Sequence, residues 1–480
     1  MSTNTVINQR NKYPDGRVQP SGTAPRIKRI ERDNPFEGKD EPTVLIVGGG
    51  TFGVSTAYHL AHVYQDPSKV TVIDRSPSPP YPAAAIDINR VIRTDYPNQL
   101  YCNLAHESIH PWFWSGELGP TFNKVGWFMF NEEGSDIASR ICETFTERGS
   151  NWAEDVQLNE LGNRFDGILS QTETKGFTHA YFNPESGWVN AAVATHNFIT
   201  AAEKRGVRRV TADATELLYD SSTGRIKGVR TADGGTYLAD KVILATGAWT
   251  SLLMSPIEDV LDIADKDRIE TQARATGTVS AYYRLSVDET AKLTKAKMPV
   301  IVYGGNGEIF PPSKENQLLK VSNSRTTFTN TTTTKSGHKI SVPKVDQYNV
   351  PDSIKRETEA IMSSKVLPEY VRGKKPDYWR ICYDTQTPTE DLLMCKHPNA
   401  KLDNLYLALG GSFHSYKFMP VVGKYMLNIL HGESNGPEKD KAWGWKSAAD
   451  WNDVREFGLL SGRAVAKVEL KDLESGRCKL

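Results

Sequence analysis

A glycine-rich segment near residue 50 has the spacing of a dinucleotide-binding loop. It reads Gly48-Gly49-Gly50-Thr51-Phe52-Gly53 and fits the pattern GxGxxG. The first glycine of that pattern permits a tight turn, the second lets a pyrophosphate approach the backbone, and the third allows close helix–strand packing. The motif alone does not distinguish FAD from NAD. The residues that we predict to bind the dinucleotide are Gly48, Gly50, Thr51, Phe52, Gly53, Asp74 and Arg75.

The elements around this loop form a strand–helix–strand unit. Residues 43–47 (TVLIV) are a short apolar run typical of a buried parallel strand, and residues 55–64 (STAYHLAHVY) have helical spacing. A second strand-like run at 70–73 (VTVI) ends at Asp74, where an acidic side chain can accept hydrogen bonds from ribose hydroxyls. Similar buried-strand patterns recur at 241–249 and 405–410, so the α/β pattern occupies separated blocks.

Residues 275–345 have a different pattern, with alternating apolar and polar residues and many threonines, which favours antiparallel sheet. We therefore predict an α/β fold in which a discontinuous, Rossmann-like dinucleotide-binding domain carries an inserted α+β substrate domain on a mostly antiparallel sheet. The predicted segments are a flexible N-terminal arm at 1–41, dinucleotide-binding segments at 42–125, 185–268 and 375–435, substrate-domain segments at 126–184 and 269–374, and a C-terminal extension at 436–480.

The charge balance argues against two classes of partner. The chain has 58 Lys plus Arg and 58 Asp plus Glu, so its formal net charge at pH 7 is zero. Nucleic acids and anionic membrane surfaces select for an excess of positive charge, so we expect a small-molecule ligand instead. Residues 42–65 carry no formal charge, but their consecutive glycines, hydroxyl groups and histidines are unlike a membrane span.

The cysteines have no metal-binding spacing. The sequence contains no CxxC pair and no Cys/His cluster, so we predict no metal site. The N-terminus has no apolar segment of the kind found in secretory signals, so we expect reduced thiols. The five cysteines are Cys102, Cys142, Cys382, Cys395 and Cys478.

Three further passages carry a resemblance to a known family. Residues 83–96 read AAAIDINRVIRTDY, residues 378–398 read YWRICYDTQTPTEDLLMCKHP, and residues 411–420 read GSFHSYKFMP. With the glycine-rich loop and Ala245-Thr246-Gly247, they resemble the monomeric sarcosine oxidase family of FAD-dependent amine oxidases, whose fungal branches include amadoriases and saccharopine/pipecolate oxidases. The resemblance extends from about residue 43 to about 435. It implies that the cofactor is FAD, that the dinucleotide-binding domain is an FAD-binding domain, and that Gly247 belongs to the cofactor site.

The resemblance also implies roles for five residues. Cys382 stands where the family attaches FAD covalently through the flavin 8α carbon. Lys417 and Arg93 match the cations that pair with a substrate carboxylate, a task for which guanidinium offers bidentate geometry, and Lys417 also belongs to the cofactor site. Arg90 corresponds to a basic residue that faces the flavin. Lys320 corresponds to the lysine that lies over the flavin and activates O₂ by stabilising superoxide.

Some positions depart from the family pattern. Phe413 and Ser415 replace two glycines beside Lys417, which narrows the pocket and would let Phe413 stack on an aromatic substrate. Asp384 could accept a proton, bind a cationic amine or make a structural hydrogen bond. His414 fits a core histidine and a pocket residue equally well. Ser324 stands near the position of an active-site histidine in the sarcosine oxidases.

The implied function is oxidation of the C–N bond of a secondary amine, an N-alkyl amino acid or a relative of one, to an imine, with O₂ reduced to H₂O₂. Capture of the imine within the molecule, as in ring-forming enzymes of secondary metabolism, is one alternative. A fructosyl amino acid oxidase is another, although amadoriases tend to lack an arginine at the position of Arg93. Two rivals remain: a dehydrogenase that passes electrons to a protein or quinone, and a flavin-binding protein that has lost catalysis.

The chain ends in Cys478-Lys479-Leu480, which fits the relaxed form of the peroxisomal address related to Ser-Lys-Leu. We therefore expect a peroxisomal protein that the import receptor recognises, and a cytoplasmic one otherwise. Among other partners we expect only the amine substrate and O₂, with the protein itself a monomer.

Overall fold

The computed structural model describes residues 40–150, 152–447 and 468–477. Two sequence predictions therefore lie outside the described residues: nearly all of the N-terminal arm, and the C-terminal tripeptide Cys478–Leu480. The strands are β1 Val44–Val47, β2 Val70–Asp74, β3 Arg90–Ile92, β4 Phe122–Asn123, β5 Trp127–Glu132, β6 Glu154–Val156, β7 Phe177–Asn183, β8 Gly187–Val189, β9 Arg208–Thr211, β10 Ala214–Asp220, β11 Arg225–Thr231, β12 Thr236–Leu238, β13 Lys241–Leu244, β14 Arg274–Arg284, β15 Val300–Tyr303, β16 Gly307–Phe310, β17 Leu318–Asn323, β18 Phe328–Thr329, β19 Thr331–Thr333, β20 Lys339–Ser341, β21 Tyr378–Gln386, β22 Leu393–Lys396, β23 Leu405–Leu409 and β24 Val468–Glu469. The helices are α1 Thr51–Val63, α2 Gln99–Trp114, α3 Ile137–Glu147, α4 Ala191–Glu203, α5 Thr250–Val260, α6 Ile269–Gln272, α7 Val287–Lys295, α8 Asp352–Thr358, α9 Pro368–Val371, α10 Met419–His431, α11 Pro437–Trp443 and α12 Leu470–Glu474.

A six-stranded sheet collects the separated α/β blocks. Its order is β22-β23-β13-β1-β2-β9. The pairs from β23 to β9 are parallel, and β22 is antiparallel to β23. Such strands are buried on both faces, which explains their unbroken apolar sequences. The predicted discontinuous Rossmann-like domain is confirmed.

A ten-stranded sheet forms the second layer, in the order β24-β18-β14-β17-β16-β15-β5-β7-β6, with β21 paired to β14. Its pairs are antiparallel except β15–β5 and β18–β24, so the predicted, mostly antiparallel sheet is also confirmed. Strand β21 comes from the segment 375–435 that was assigned to the FAD domain, yet it hydrogen-bonds to this sheet along Tyr378–Gln386. The predicted domain boundaries stay predictions.

Helices α1 and α10 cross at very short range. A Cβ atom on Gly423 would lie 2.1 Å from the carbonyl oxygen of Ser55, and the Gly423 amide donates to the Ser55 hydroxyl at 2.8 Å. Helix α1 starts directly after the glycine-rich loop, and α10 starts two residues after Lys417. The crossing therefore fixes the distance between the loop and Lys417.

Two negative findings concern the described residues alone. No helix among them combines the length and apolar character needed to cross a membrane. They also contain no group of three or more His, Cys, Asp and Glu side chains that could hold a metal ion.

Candidate active site

One cleft takes its walls from both large sheets and collects most of the predicted site residues. Residues of β1 and β2 line it from one side, and residues of β14 and β17 line it from the other. Of the described residues predicted to form the site, Gly53 and Arg93 are outside the lining. Those in the lining are Gly48, Gly50, Thr51, Phe52, Asp74, Arg75, Arg90, Gly247, Lys320, Cys382, Asp384, Phe413, His414 and Lys417.

The glycine-rich loop is shaped to admit an anionic ligand. Gly48 has φ +107°, and a Cβ atom there would lie 2.3 Å from the carbonyl oxygen of Ala245. A Cβ atom on Gly53 would lie 1.8 Å from the carbonyl oxygen of Gly48. Both positions therefore exclude larger residues because the protein's own backbone is too close. At Gly50 the nearest atom would be 4.0 Å away, which leaves room for a ligand at the start of α1. The helix N-terminus favours a phosphate there.

Asp74 braces the same loop. One carboxylate oxygen accepts the amide hydrogen of Gly49 at 2.8 Å, and the other accepts hydrogen bonds from the amide and hydroxyl of Ser76 at 3.1 and 3.2 Å. Carboxylate oxygens have two lone pairs each, so capacity to accept ribose hydroxyls remains. The neighbouring Arg75 guanidinium lies 4.9 Å from the centre of the Trp249 ring. The loop and these side chains fit a dinucleotide.

A buried cluster of opposite charges lies farther along the cleft. Asp87 accepts hydrogen bonds from Lys320 Nζ at 2.7 Å, from an Arg90 Nη atom and from the Tyr282 hydroxyl at 2.9 Å. The other Nη atom of Arg90 lies 3.3 Å from Cys382 Sγ. The side chains of Lys320 and Asp87 are each only 2% exposed. The structure thus brings Arg90, Lys320 and Cys382 together around one carboxylate.

The charged states of Asp87, Lys320 and Arg90 depend on one another. Burial alone would raise the pKa of Asp87, but the positive charges of Lys320 and Arg90 outweigh it and hold that pKa well below its usual range. Burial lowers the pKa of Lys320 to about 8, although Asp87 opposes this shift. Asp87 was not predicted from the sequence. A sequence argument could have found Asp87, because buried cations such as Lys320 and Arg90 need a negatively charged partner.

Cys382 is the cysteine of the described residues that lines the cleft, and an Arg90 nitrogen lies 3.3 Å from its sulfur. Burial raises the pKa of Cys102 to about 11 and that of Cys395 to about 12. Those two thiols therefore stay protonated at neutral pH, in line with structural roles.

A second cationic group is organised around Tyr96. Lys417 is 3% exposed, and its Nζ donates to the Tyr96 hydroxyl at 2.9 Å and to the His414 carbonyl at 2.5 Å. The Arg93 guanidinium lies 4.6 Å from the centre of the Tyr96 ring and 4.7 Å from that of Trp127. Lys417 and Arg93, although distant in sequence, therefore contact the same tyrosine. Tyr96 and Trp127 were not predicted.

His414 takes part in this arrangement as a neutral side chain. Its Nε2 lies 2.9 Å from the Glu390 carbonyl oxygen, which only accepts, so Nε2 carries the hydrogen and Nδ1 accepts from the Tyr96 hydroxyl at 3.0 Å. Burial and the charge of Lys417 lower the pKa of His414 to about 3. This geometry makes His414 orient Tyr96, and through it Lys417. A direct catalytic role for His414 stays a prediction.

Asp384 stabilises the turn that carries Phe413. Its two carboxylate oxygens accept the amide hydrogens of Thr385 and Phe413, each at 2.8 Å. Phe413 lines the cleft with φ 63°, a left-handed conformation that is uncommon for a bulky residue and needs such support. Of the alternatives for Asp384, the structural hydrogen bond is the one that these contacts match.

The polar residues in the cleft that were not predicted include Ser280, Ser322 and Glu308. They could have been found from strand alternation, because Ser322 is two residues after Lys320 and Glu308 is two residues before Phe310, which also lines the cleft. Ser324, at the position of the family histidine, is buried outside the lining, and its amide donates to the Asn306 carbonyl at 2.9 Å.

Comparison with known proteins settles the family. The family model described as FAD dependent oxidoreductase (DAO) matches residues 43–429, which is most of the chain. The chain belongs to this family. This FAD-dependent oxidoreductase accordingly uses the cofactor that the resemblance implied, and the predicted enzyme class is confirmed.

Relatives of this FAD-dependent oxidoreductase agree with the resemblance to the sarcosine oxidases. L-saccharopine oxidase of Schizosaccharomyces pombe is 25% identical over 86% of this chain and 96% of its own length. Monomeric sarcosine oxidase of a Bacillus species is 26% identical over 80% of this chain and 91% of its own. Among solved structures, fructosyl peptide oxidase from E. terrenum has a TM-score of 0.75 at 27% identity, with 90% of this chain and 97% of that chain covered.

The buried cluster generates a prediction for stability. Replacing Asp87 by Asn should lower the free energy of unfolding by about 3–5 kcal/mol, because Lys320 and Arg90 would keep their burial and lose their counter-charge. Urea denaturation of the holoenzyme at neutral pH measures this loss. As a control, Asp352→Asn removes a surface partner of Lys355 whose side chain is 78% exposed, and should change the value by less than about 0.5 kcal/mol. Equal losses in the two variants would refute the compensating role of Asp87.

Proposed function

We propose that the protein oxidises the C–N bond of a secondary amine that also carries a carboxylate, such as an N-alkyl amino acid, and that O₂ takes up the electrons as H₂O₂. The observation that carries this proposal is that Lys320 and Arg90 line the same cleft as Lys417 and the dinucleotide loop, while Arg93, outside the lining, lies beside Tyr96. The names of the relatives, L-saccharopine oxidase and monomeric sarcosine oxidase, support the same chemistry.

The carboxylate of the substrate would bind at Lys417 and Arg93. Arg93 is paired with no carboxylate among the described residues, and its guanidinium lies 4.6 Å from the centre of the Tyr96 ring and 4.7 Å from that of Trp127. Lys417 is oriented by the Tyr96 hydroxyl and the His414 carbonyl, both of which are uncharged. Two cations that contact the same tyrosine are a suitable receptor for a carboxylate, for which guanidinium offers bidentate geometry.

The reacting end would lie near Lys320, Arg90 and Cys382. When bound, FAD supplies the two-electron acceptor for amine oxidation. The charges of Lys320 and Arg90 disfavour a second cation beside them, so they favour the neutral, oxidisable form of the amine. The ammonium of Lys320 would also stabilise negative charge that develops on O₂.

The function is tested by supplying the holoenzyme with matched amines. N-alkyl amino acids should release H₂O₂ in a peroxidase-coupled assay, whereas the corresponding primary amino acids and secondary amines without a carboxylate should react poorly. Lys417→Ala should weaken binding of the N-alkyl amino acid by about 2–5 kcal/mol, the loss expected for one partner of a desolvated charge pair. Equal weakening for the analogue without a carboxylate would refute the carboxylate site. Reduction of the enzyme by amines without any reaction with O₂ would instead indicate a dehydrogenase.

Lys320 should impose a pH dependence on the reaction with O₂. Its pKa is lowered to about 8 by burial, so the ammonium is present below that pH and lost above it. We expect the reaction of the reduced enzyme with O₂, followed by stopped-flow absorbance, to slow as the pH rises through about 8. Lys320→Met should be slower by about 100-fold or more at pH 7 and should lack this pH dependence. Wild-type rates in Lys320→Met would exclude the role, and Lys365→Met, which alters a surface lysine paired with Glu173, is the matched control.

Covalent attachment of FAD through Cys382 is the finer part of the proposal. Its support is that the sulfur lines the cleft 3.3 Å from an Arg90 nitrogen, together with the resemblance of residues 378–398 to the sarcosine oxidases. Acid-precipitated protein should then stay yellow, and its intact mass should exceed that of the chain by one FAD. Cys382→Ala should release its flavin on denaturation but bind it when folded, because the Gly48–Gly53 loop does not depend on the tether. A colourless precipitate from the wild-type protein would show that FAD is held without a covalent bond.

A further inference from the structure

Glu308 lies in the cleft, on the same face of the ten-stranded sheet as Lys320. In the antiparallel pair of β16 and β17, Phe310 is opposite Lys320 and Glu308 is opposite Ser322. Directly opposed residues point to the same face, and Glu308, Phe310, Lys320 and Ser322 all line the cleft. Glu308 is therefore about 7 Å farther along the strand than the buried cluster, at a strand rise of about 3.4 Å per residue.

The carboxylate of Glu308 differs in its partners from the other carboxylates that line the cleft. Asp74 and Asp384 accept backbone hydrogen bonds, and Asp213 pairs with Arg75 at 3.6 Å. Glu308, which is half-buried, forms no hydrogen bond or ion pair with the residues that the structure describes. A partly desolvated carboxylate without a partner costs free energy, and a cation brought by a ligand would offset that cost.

The surroundings indicate which cation this would be. Glu308 is near enough to the carboxylate-binding end for its charge to act on Tyr96, whose pKa is raised mainly by burial and additionally by Glu308. The reacting amine itself is a poor partner, because a neighbouring carboxylate stabilises the protonated amine, and that form is not oxidised. A charged group that keeps its proton throughout the reaction fits the position better.

We propose that Glu308 binds a second, non-reacting alkylammonium group of the substrate. The substrate class is then a secondary-amine amino acid with a further basic group, whose carboxylate binds at Lys417 and whose ammonium binds at Glu308. This inference rests on the proposed function, because it uses the same carboxylate site and the same reacting end. It adds a specificity-determining residue outside the passages that resemble the sarcosine oxidases.

The test uses ligands that cannot be turned over. The holoenzyme is titrated with ω-amino carboxylates of increasing chain length and with alkanoates of the same lengths, and binding is followed by the flavin spectrum and by calorimetry. At the length that spans the two sites, the ω-amino form should bind at least about 10-fold more tightly than the alkanoate. Glu308→Gln, which preserves side-chain volume, should abolish this difference. Glu315→Gln, which alters an exposed residue of the same β16–β17 hairpin, should retain it.

Two results would overturn the inference. One is that no ω-amino carboxylate binds better than its alkanoate to the wild-type enzyme, an outcome that requires no variant to fold. The other is that the preference survives in Glu308→Gln. Failure of the proposed function is distinguishable from both, because it would appear as normal ligand preference without H₂O₂ release from any secondary amine.

Discussion

The active site depends on the buried carboxylate of Asp87. Lys320 from β17, Arg90 from β3 and Tyr282 from β14 all donate to it, so one side chain connects strand β3 to the ten-stranded sheet. Burying a lysine and an arginine without an anion would cost several kcal/mol for each ion, and each would tend to lose its charge or its burial. Asp87 gives both cations a buried counter-charge, and it holds Arg90 where one of its nitrogens lies 3.3 Å from Cys382 Sγ.

At the other end of the cleft, the buried cation Lys417 has different surroundings. Lys417 is buried, and a chain of hydrogen bonds runs from it through Tyr96 and His414 to the backbone of Glu390. The two ends of the cleft thus surround their cations differently: Lys320 and Arg90 contact the Asp87 carboxylate, whereas Lys417 donates to the Tyr96 hydroxyl and the His414 carbonyl.

Asp384 and Phe413 form a braced turn beside Lys417: the Asp384 carboxylate accepts the amide hydrogen of Phe413 and so stabilises the left-handed conformation of Phe413. That turn changes the shape of the pocket and leaves its cations in place. The cationic residues and the braced turn are therefore different parts of one cleft.

The sequence by itself determined the fold class, the dinucleotide loop and the identity of most cationic residues in the site. Those features depend on local patterns: apolar strand runs, the spacing Gly48–Gly53, and short passages around Arg90, Cys382 and Lys417. Only the tertiary structure decided how these residues are compensated. Asp87 and Lys320 are 233 residues apart, and Lys417 and Tyr96 are 321 apart, so no local pattern links them. Whether a buried charge is neutralised, oriented or left unpaired depends on atoms contributed by distant segments, which is why Asp87, Tyr96 and Glu308 emerged only from the folded chain.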